Sequence, residues 1–322
     1  MPTHSLDVSE AFKNICVLQV DVKILDEEFF IFCDHLLDLC QSLDTVEIAI
    51  SSLANNALYD RLLDFLFNSK RWSIKDLSID IPILDAHNTL LQRVEDCYTL
   101  TKIRFDLRGI NGAEGFRFGS PTKTFVLANI DTLTITGKDG PVLDVTILNS
   151  IDIPCLRTLV LYRIELNEEV HKFVVRHSNK LEELSIRANM QAWDLLGVVS
   201  ECKNLNDLSL DCSYILPYSF KHQNIRIVTL DNLCPGINMH NVDWISRRAL
   251  QELNRFIQTQ PELLFPQLQT IYLIDFHNVM LRWPMTTATK RRWRQLLRDC
   301  RARNIVVFDC ETKPLKETED IA

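Results

Sequence analysis

The feature that most constrains this chain is a short apolar pattern, apolar-x-x-apolar-x-apolar, that returns along almost its whole length. It begins as Ile15-x-x-Leu18-x-Val20 and continues as Leu43-x-x-Val46-x-Ile48, Ile74-x-x-Leu77-x-Ile79 and Leu100-x-x-Ile103-x-Phe105. Ile130-x-x-Leu133-x-Ile135, Leu156-x-x-Leu159-x-Leu161, Leu181-x-x-Leu184-x-Ile186 and Leu205-x-x-Leu208-x-Leu210 follow, and Ile225-x-x-Val228-x-Leu230 and Leu268-x-x-Ile271-x-Leu273 close the series. The successive starts lie 28, 31, 26, 30, 26, 25, 24, 20 and 43 residues apart. A single match arises by chance, whereas ten in order point to a repeat architecture in which neighbouring units share one core. The alternation that ends each match puts two apolar side chains on one face of a short strand.

The stretches between matches read as helices. Asp26–Gln41 places Phe29, Phe30, Cys33, Leu36, Leu37 and Cys40 at helical spacing, with carboxylates near its start, where the helix dipole favours them. Ala57–Ser69, His87–Cys97, Glu168–Ser178 and Trp193–Cys202 repeat the design. Strands alternating with helices predict an α/β fold with a parallel sheet. Helices on one side take more width than strands on the other, so the stack is expected to bend into a horseshoe with the sheet concave.

The segments LRTLVLYRIEL, LEELSIRANM and LNDLSLDCSYIL resemble leucine-rich repeats of the long, helix-containing kind, as in ribonuclease-inhibitor-like proteins and in the repeat domains of F-box proteins. The resemblance covers about residues 14–310. The Asn or Cys that usually follows the strand is mostly missing; Asn189 fits that position once and Cys212 lies near it. That irregularity is similar to F-box-type leucine-rich proteins, many of them fungal. The resemblance implies one leucine-rich-repeat solenoid domain over 1–322, with repeats over about 14–290. A helix–strand cap over about 291–310 ends on the strand Ile305–Phe308, and a polar, frayed tail covers 311–322. It also implies substrate selection for a Skp1–cullin ubiquitin ligase, although the F-box of such proteins has no match in the residues before Ile15.

Two segments break the rhythm. Gly109–Gly119 holds four of the eight glycines but matches neither G-x-x-x-x-G-K-[ST] nor G-x-G-x-x-G, so it reads as a flexible connection rather than a phosphate cradle. The long gap before Leu268 contains CPGINMHNVDW and a helical stretch, Ser246–Gln258, with Ser246 as N-cap. The span 231–267 is either an eroded repeat or a docking insertion.

Nothing in the residue pattern calls for catalysis, a cofactor or a metal. The eight histidines share no metal or triad spacing, and there is no H-E-x-x-H and no G-x-S-x-G. Ten scattered cysteines without C-x-x-C, no N-x-S/T sequon and no basic-then-apolar leader point to a reduced, intracellular protein, cytoplasmic or nuclear. A formal charge of −8 argues against general nucleic-acid or anionic-membrane binding.

In leucine-rich strands the residues between the apolar ones face the concave surface. The residue after each third apolar position gives Asp21, Ala49, Asp80, Asp106, Thr136, Tyr162, Arg187, Asp211, Asp231 and Ile274; half are aspartate. Glu47, Asp76, Glu183 and Asp207 take nearby outward positions, so stacked strands are expected to carry an acidic track for a basic segment of a protein partner. Val160, Tyr162, Tyr272 and Ile274 are the candidate hot spots. The expected function is a monomeric, non-enzymatic module that binds a protein; the alternative is an inhibitor or sensor that blocks one enzyme one-to-one. The last cluster, Lys290, Arg291, Arg292, Arg294, Arg298, Arg301 and Arg303, reads either as a solvated helix face suited to a helix C-terminus or as a phosphate- or RNA-binding patch.

Overall fold

The computed structural model describes residues 15–22, 27–31, 40, 42–50, 56–68, 73–81, 86–107, 123–137, 145–164, 167–187, 192–211, 221–231, 250–251, 253–258, 261–273, 286–308 and 314–315. The Gly-rich stretch 109–119, the turn-rich piece at 234–244, Ser246, Cys33 and Ile274 lie outside them. The chain divides into two compact units, Met1–Phe173 and Val174–Ala322.

The first unit is a parallel ladder of six strands: β1 (Val17–Val22), β2 (Thr45–Ile50), β3 (Asp76–Ile81), β4 (Lys102–Leu107), β6 (Thr132–Gly137) and β8 (Thr158–Tyr162). The second unit holds a parallel ladder of five: β9 (Glu183–Arg187), β10 (Asp207–Asp211), β11 (Ile227–Asp231), β12 (Thr270–Leu273) and β13 (Val306–Phe308). Each ladder strand falls on one of the sequence matches or on the closing Ile305–Phe308 segment. Parallel neighbours need a crossover between them, and helices supply several: α1 (Asn56–Asn68) between β2 and β3, α2 (Ala86–Asp96) between β3 and β4, α4 (Ala192–Glu201) between β9 and β10. Residues 27–31 and 253–258 are helical as well. α3 (Glu168–His177) contains the division between the units; it opens on Asn167, whose Oδ1 accepts the N–H groups of Glu169 and Val170 at 3.1 Å each.

The three apolar positions of the pattern have distinct duties. The fourth and sixth point to the core side of the strand: Val46 and Ile48, Leu77 and Ile79, Ile103 and Phe105, Leu133 and Ile135, Leu159 and Leu161 are all buried. The first, one of Leu43, Ile74, Leu100, Ile130 or Leu156, is buried just before the strand. The residue after it then offers a carbonyl that accepts two amides from the next strand's lead-in. Cys16 O takes Asp44 N and Thr45 N, both at 3.0 Å; Lys75 O takes Thr101 N and Lys102 N, both at 2.9 Å; Asp131 O takes Arg157 N and Thr158 N at 2.8 and 3.0 Å. The second unit repeats this at Glu182 O, Asn206 O and Arg226 O. Side-chain amides reinforce it there: Asn204 Nδ2 donates to Asn179 O and Asn224 Nδ2 to Lys203 O, each at 2.6 Å.

Some structure escapes the pattern. Between β4 and β8 the chain adds two-residue strands, β5 (Phe125–Val126) and β7 (Ile151–Asp152), and a 3-10 turn, Thr146–Ser150. β5 is fastened to α2, where Glu95 accepts Lys123 Nζ at 2.6 Å and Val126 N at 2.8 Å. In the second unit the short helix α5 (Pro261–Leu264) precedes β12. The last helix, α6 (Thr287–Ala302), begins six residues before Trp293, capped by Thr286. It ends with Asn304 at φ 60°, Asn304 N bonded to Arg301 O and Ile305 N to Cys300 O at 2.9 Å each, a left-handed cap that turns straight into β13. The tail is not wholly frayed: Pro314 bridges to Phe308, and the buried Leu315 donates its N–H to Val307 O at 2.8 Å.

Phe105 is fully buried in β4 with Ile79 and Ile135 at the matching positions on its neighbours. Phe105→Ala is expected to cost about 3–5 kcal/mol in urea unfolding. A cost below about 1 kcal/mol would mean that these positions do not form a shared core.

Candidate functional site

The alternation that buries the fourth and sixth positions leaves the intervening side chains half-exposed on the other face, as the burial along β4, β8 and β12 shows. In the first unit the register aligns these side chains in rows. One row is Gln19, Glu47, Ser78, Arg104, Thr134 and Val160. The row of the sequence-derived candidates begins with Asp21 beside Ala49, and continues through Asp80 beside Asp106, then Thr136 and Tyr162.

This row is not an unbroken acidic track. Ala49 follows Asp21, and Arg104, two residues back on the same strand, donates Nε to Asp106 Oδ1 at 2.8 Å. In the neighbouring row Lys102 aligns with Asp76. Thr136 is buried despite its outward register. Tyr162 ends the row half-exposed, with the Arg163 guanidinium 5.2 Å from its ring centroid; such a cation on the ring face is electrostatically favourable. Arg104 and Lys102 were missed as members of the site, although their alternation with Ile103 and Phe105 marks them as outward.

In the second unit the candidates Arg187, Asp211 and Asp231 lie at the ends of β9, β10 and β11, and Asp211 aligns with Asp231. Tyr272 aligns with Thr229 on one side and Phe308 on the other. Its ring stacks on Phe308 at 5.2 Å and 28°. The pair adds an aromatic surface to a row that otherwise holds Ser185, Ser209 and Thr229. Phe308 was not among the sequence candidates, yet Ile305-x-Val307 already implied that it faces outward.

The most perturbed acid on this face is Asp207. Burial, with Glu183 aligned on the neighbouring strand, pushes its carboxyl up to about 6. Asp76 is also raised, by burial and by Asp44, against the pull of Lys102. The buried thiols lie elsewhere in the core: Cys202 and Cys300 are pushed up to about 12 by burial, which keeps both protonated and unreactive at neutral pH. His222, buried with its Nε2 2.8 Å from Cys202 O, is held below its ordinary value by desolvation.

Among the described residues no group of three or more His, Cys, Asp and Glu is placed to hold a metal ion, and no helix is long and apolar enough to cross a membrane. No family model matches the sequence, and no curated protein matches it.

Asp207 gives a signed pH dependence. Its folded value of about 6 lies above the ordinary 3.8, so between these values the folded chain keeps a proton that the unfolded chain has lost. Its contribution to stability is therefore full below about pH 4 and is lost as pH rises through about 6. Asp207→Asn is expected to stabilise the protein by about 1 kcal/mol near pH 7.5, after allowance for partial exposure, and to change little near pH 4. Thermal melts at the two pH values check this; equal gains at both would exclude the carboxylate as the cause.

Proposed function

We propose that the chain is an irregular leucine-rich-repeat solenoid, similar in kind to the repeat domains of F-box proteins, and that its concave strand face holds a protein partner. The supporting observation is the regular register that lines up outward side chains on successive parallel strands, with a half-exposed aromatic in each ladder, Tyr162 in one and the Tyr272–Phe308 stack in the other. Aromatic side chains supply much apolar area at little rotamer cost, and they dominate the energetics of protein interfaces more than rim acids do. Asp21, Glu47, Asp80, Asp106, Arg187, Asp211 and Asp231 form the polar surround, which steers a partner carrying a basic segment and fixes its orientation.

In this reading the protein is a monomeric, non-enzymatic recognition module of the cytoplasm or nucleus. It presents its bound partner to Skp1–cullin ubiquitin-ligase components. The mixed charge of the first unit, with Arg104 on Asp106, favours a partner of alternating rather than uniformly basic character.

The test is capture with the intact chain, followed by titration of the recovered partner. Tyr162→Ala and Tyr272→Ala are each expected to weaken that partner about tenfold or more, while charge reversal of Asp80, Asp106 and Asp211 together slows association and flattens its salt dependence. Recovery of Skp1 and cullin supports the ligase role. Unchanged affinity in both tyrosine variants would remove the strand face as the binding surface.

A further inference from the structure

The outward face of the second ladder gathers acceptor oxygens at one place. Asp207 and Ser209 alternate with the buried Leu208 and Leu210 on β10, so both face away from the core. The register sets them beside Glu183 and Ser185 of β9. Ser209 is only 7% exposed, and its Oγ is shut off from solvent without a hydrogen-bond partner. Such a hydroxyl is destabilising, because it has given up water and gained nothing in return. A serine has one side-chain torsion to turn, so this oxygen meets a ligand lying on that face by a change of rotamer.

Asp207 shows the same deficit as a charge. Burial and Glu183 both push its carboxyl up, and among the described residues no cation or donor pulls it down. Glu183 faces it from β9, and from β11 the aligned residue is Ile227. Arg226, one place earlier, donates Nε to Gln267 Oε1 at 3.4 Å, on the side of β12. Arg187 and Asp211 stand at the far ends of β9 and β10.

We infer that Glu183, Asp207 and Ser209 receive an arginine side chain of the bound protein, an inference that rests on the strand face holding a partner. The oxygens choose the occupant. Carboxylates only accept hydrogen bonds and a hydroxyl can accept, so the ligand must bring donors and positive charge. Along β10 the Cα atoms of Asp207 and Ser209 are about 7 Å apart, and Glu183 lies about 5 Å across. A planar guanidinium with five N–H groups reaches acceptors spread in this way, whereas an ammonium is a compact point charge. A phosphate is repelled by both acids. A metal ion lacks its ligand set, since among the described residues no three His, Cys, Asp or Glu are placed to hold one. The row of Ser209 points to a protein as the bearer, because it continues through Thr229 to Tyr272, stacked on Phe308. Tyr272 is two strands, about 10 Å, from Ser209, a distance that three residues of an extended segment cover.

The probe is L-argininamide, titrated into the full chain with its aspartate carboxyls labelled by carbon-13 and followed by NMR. The Asp207 resonance, assigned by its loss in Asp207→Asn, is expected to titrate at about 6 alone and nearer 3.8 with the probe bound. Affinity is expected to rise about tenfold between about pH 5 and 7, following the ionised fraction of a group that titrates at about 6. Asp207→Asn is expected to lose about tenfold or more in affinity at neutral pH, together with the pH dependence, while melting no lower than the parent. Ser209→Ala, which leaves the charge in place, is expected to lose about tenfold and serves alone if Asp207→Asn does not fold. Asp80→Asn with Asp106→Asn, on the first ladder, is expected to change neither affinity nor pH profile. Parental affinity in folded Asp207→Asn or Ser209→Ala overturns the inference, as does equal binding of L-lysinamide or of uncharged norleucinamide. The two readings fail separately. Unchanged partner affinity in the tyrosine variants removes the strand face as the partner's surface, whereas parental argininamide binding in Asp207→Asn removes the arginine site alone.

Discussion

The fold depends on a carbonyl that does two jobs. In the lead-in to eight of the described strands the residue after the first apolar position bonds two consecutive amides of the next strand's lead-in, using both lone pairs of one oxygen. The contact fixes where the following strand starts, whatever the chain has done in between. It explains how connections of very different length, some with an α-helix, one with the short strand β5 and one with a 3-10 turn and β7, return the following strand to the same register. It also explains why the residue at that position varies freely: Cys16, Asp44, Lys75, Thr101, Asp131, Glu182, Asn206 and Arg226 all serve, because the backbone does the bonding. The apolar residue before it is what the pattern must keep, since its burial holds the carbonyl in place.

That division of labour decides what was legible in the sequence. The strands were legible because Val46 and Ile48, or Leu208 and Leu210, must be apolar on one side to share a core. The helices α1, α2, α3 and α4 were legible from their 3.6-residue spacing. The strands β5 and β7 were not, since two residues cannot display an alternation; β5 is anchored by the remote Glu95 and β7 by pairing with β5. The start of α6 was hidden because Thr287–Arg292 carries few apolar residues; Thr289 is buried there, and Thr286 caps the helix.

The candidate site was legible only by position. Period two named the outward residues one strand at a time, but their meaning comes from neighbours across the ladder. Asp207 beside Glu183, Asp106 under Arg104 and Tyr272 against Phe308 are consequences of register and side-chain reach. Reading down a column of aspartates suggested a uniform acidic surface. Local pairing divides it into an alternating one, in which the sign of charge changes within a few ångströms.

The tail of the second ladder carries a consequence for how these molecules behave in a crowd. A terminal strand with an unoccupied backbone edge is a template on which further chains add and aggregate. Here the segment at Pro314–Leu315 returns antiparallel to β13, with Leu315 buried and its N–H bonded to Val307 O. Proline has no N–H to offer a newcomer, so the pairing that begins at this edge also stops there. Pro314 and Leu315 thus cover backbone on the outer edge of the last strand that would otherwise be open to another chain.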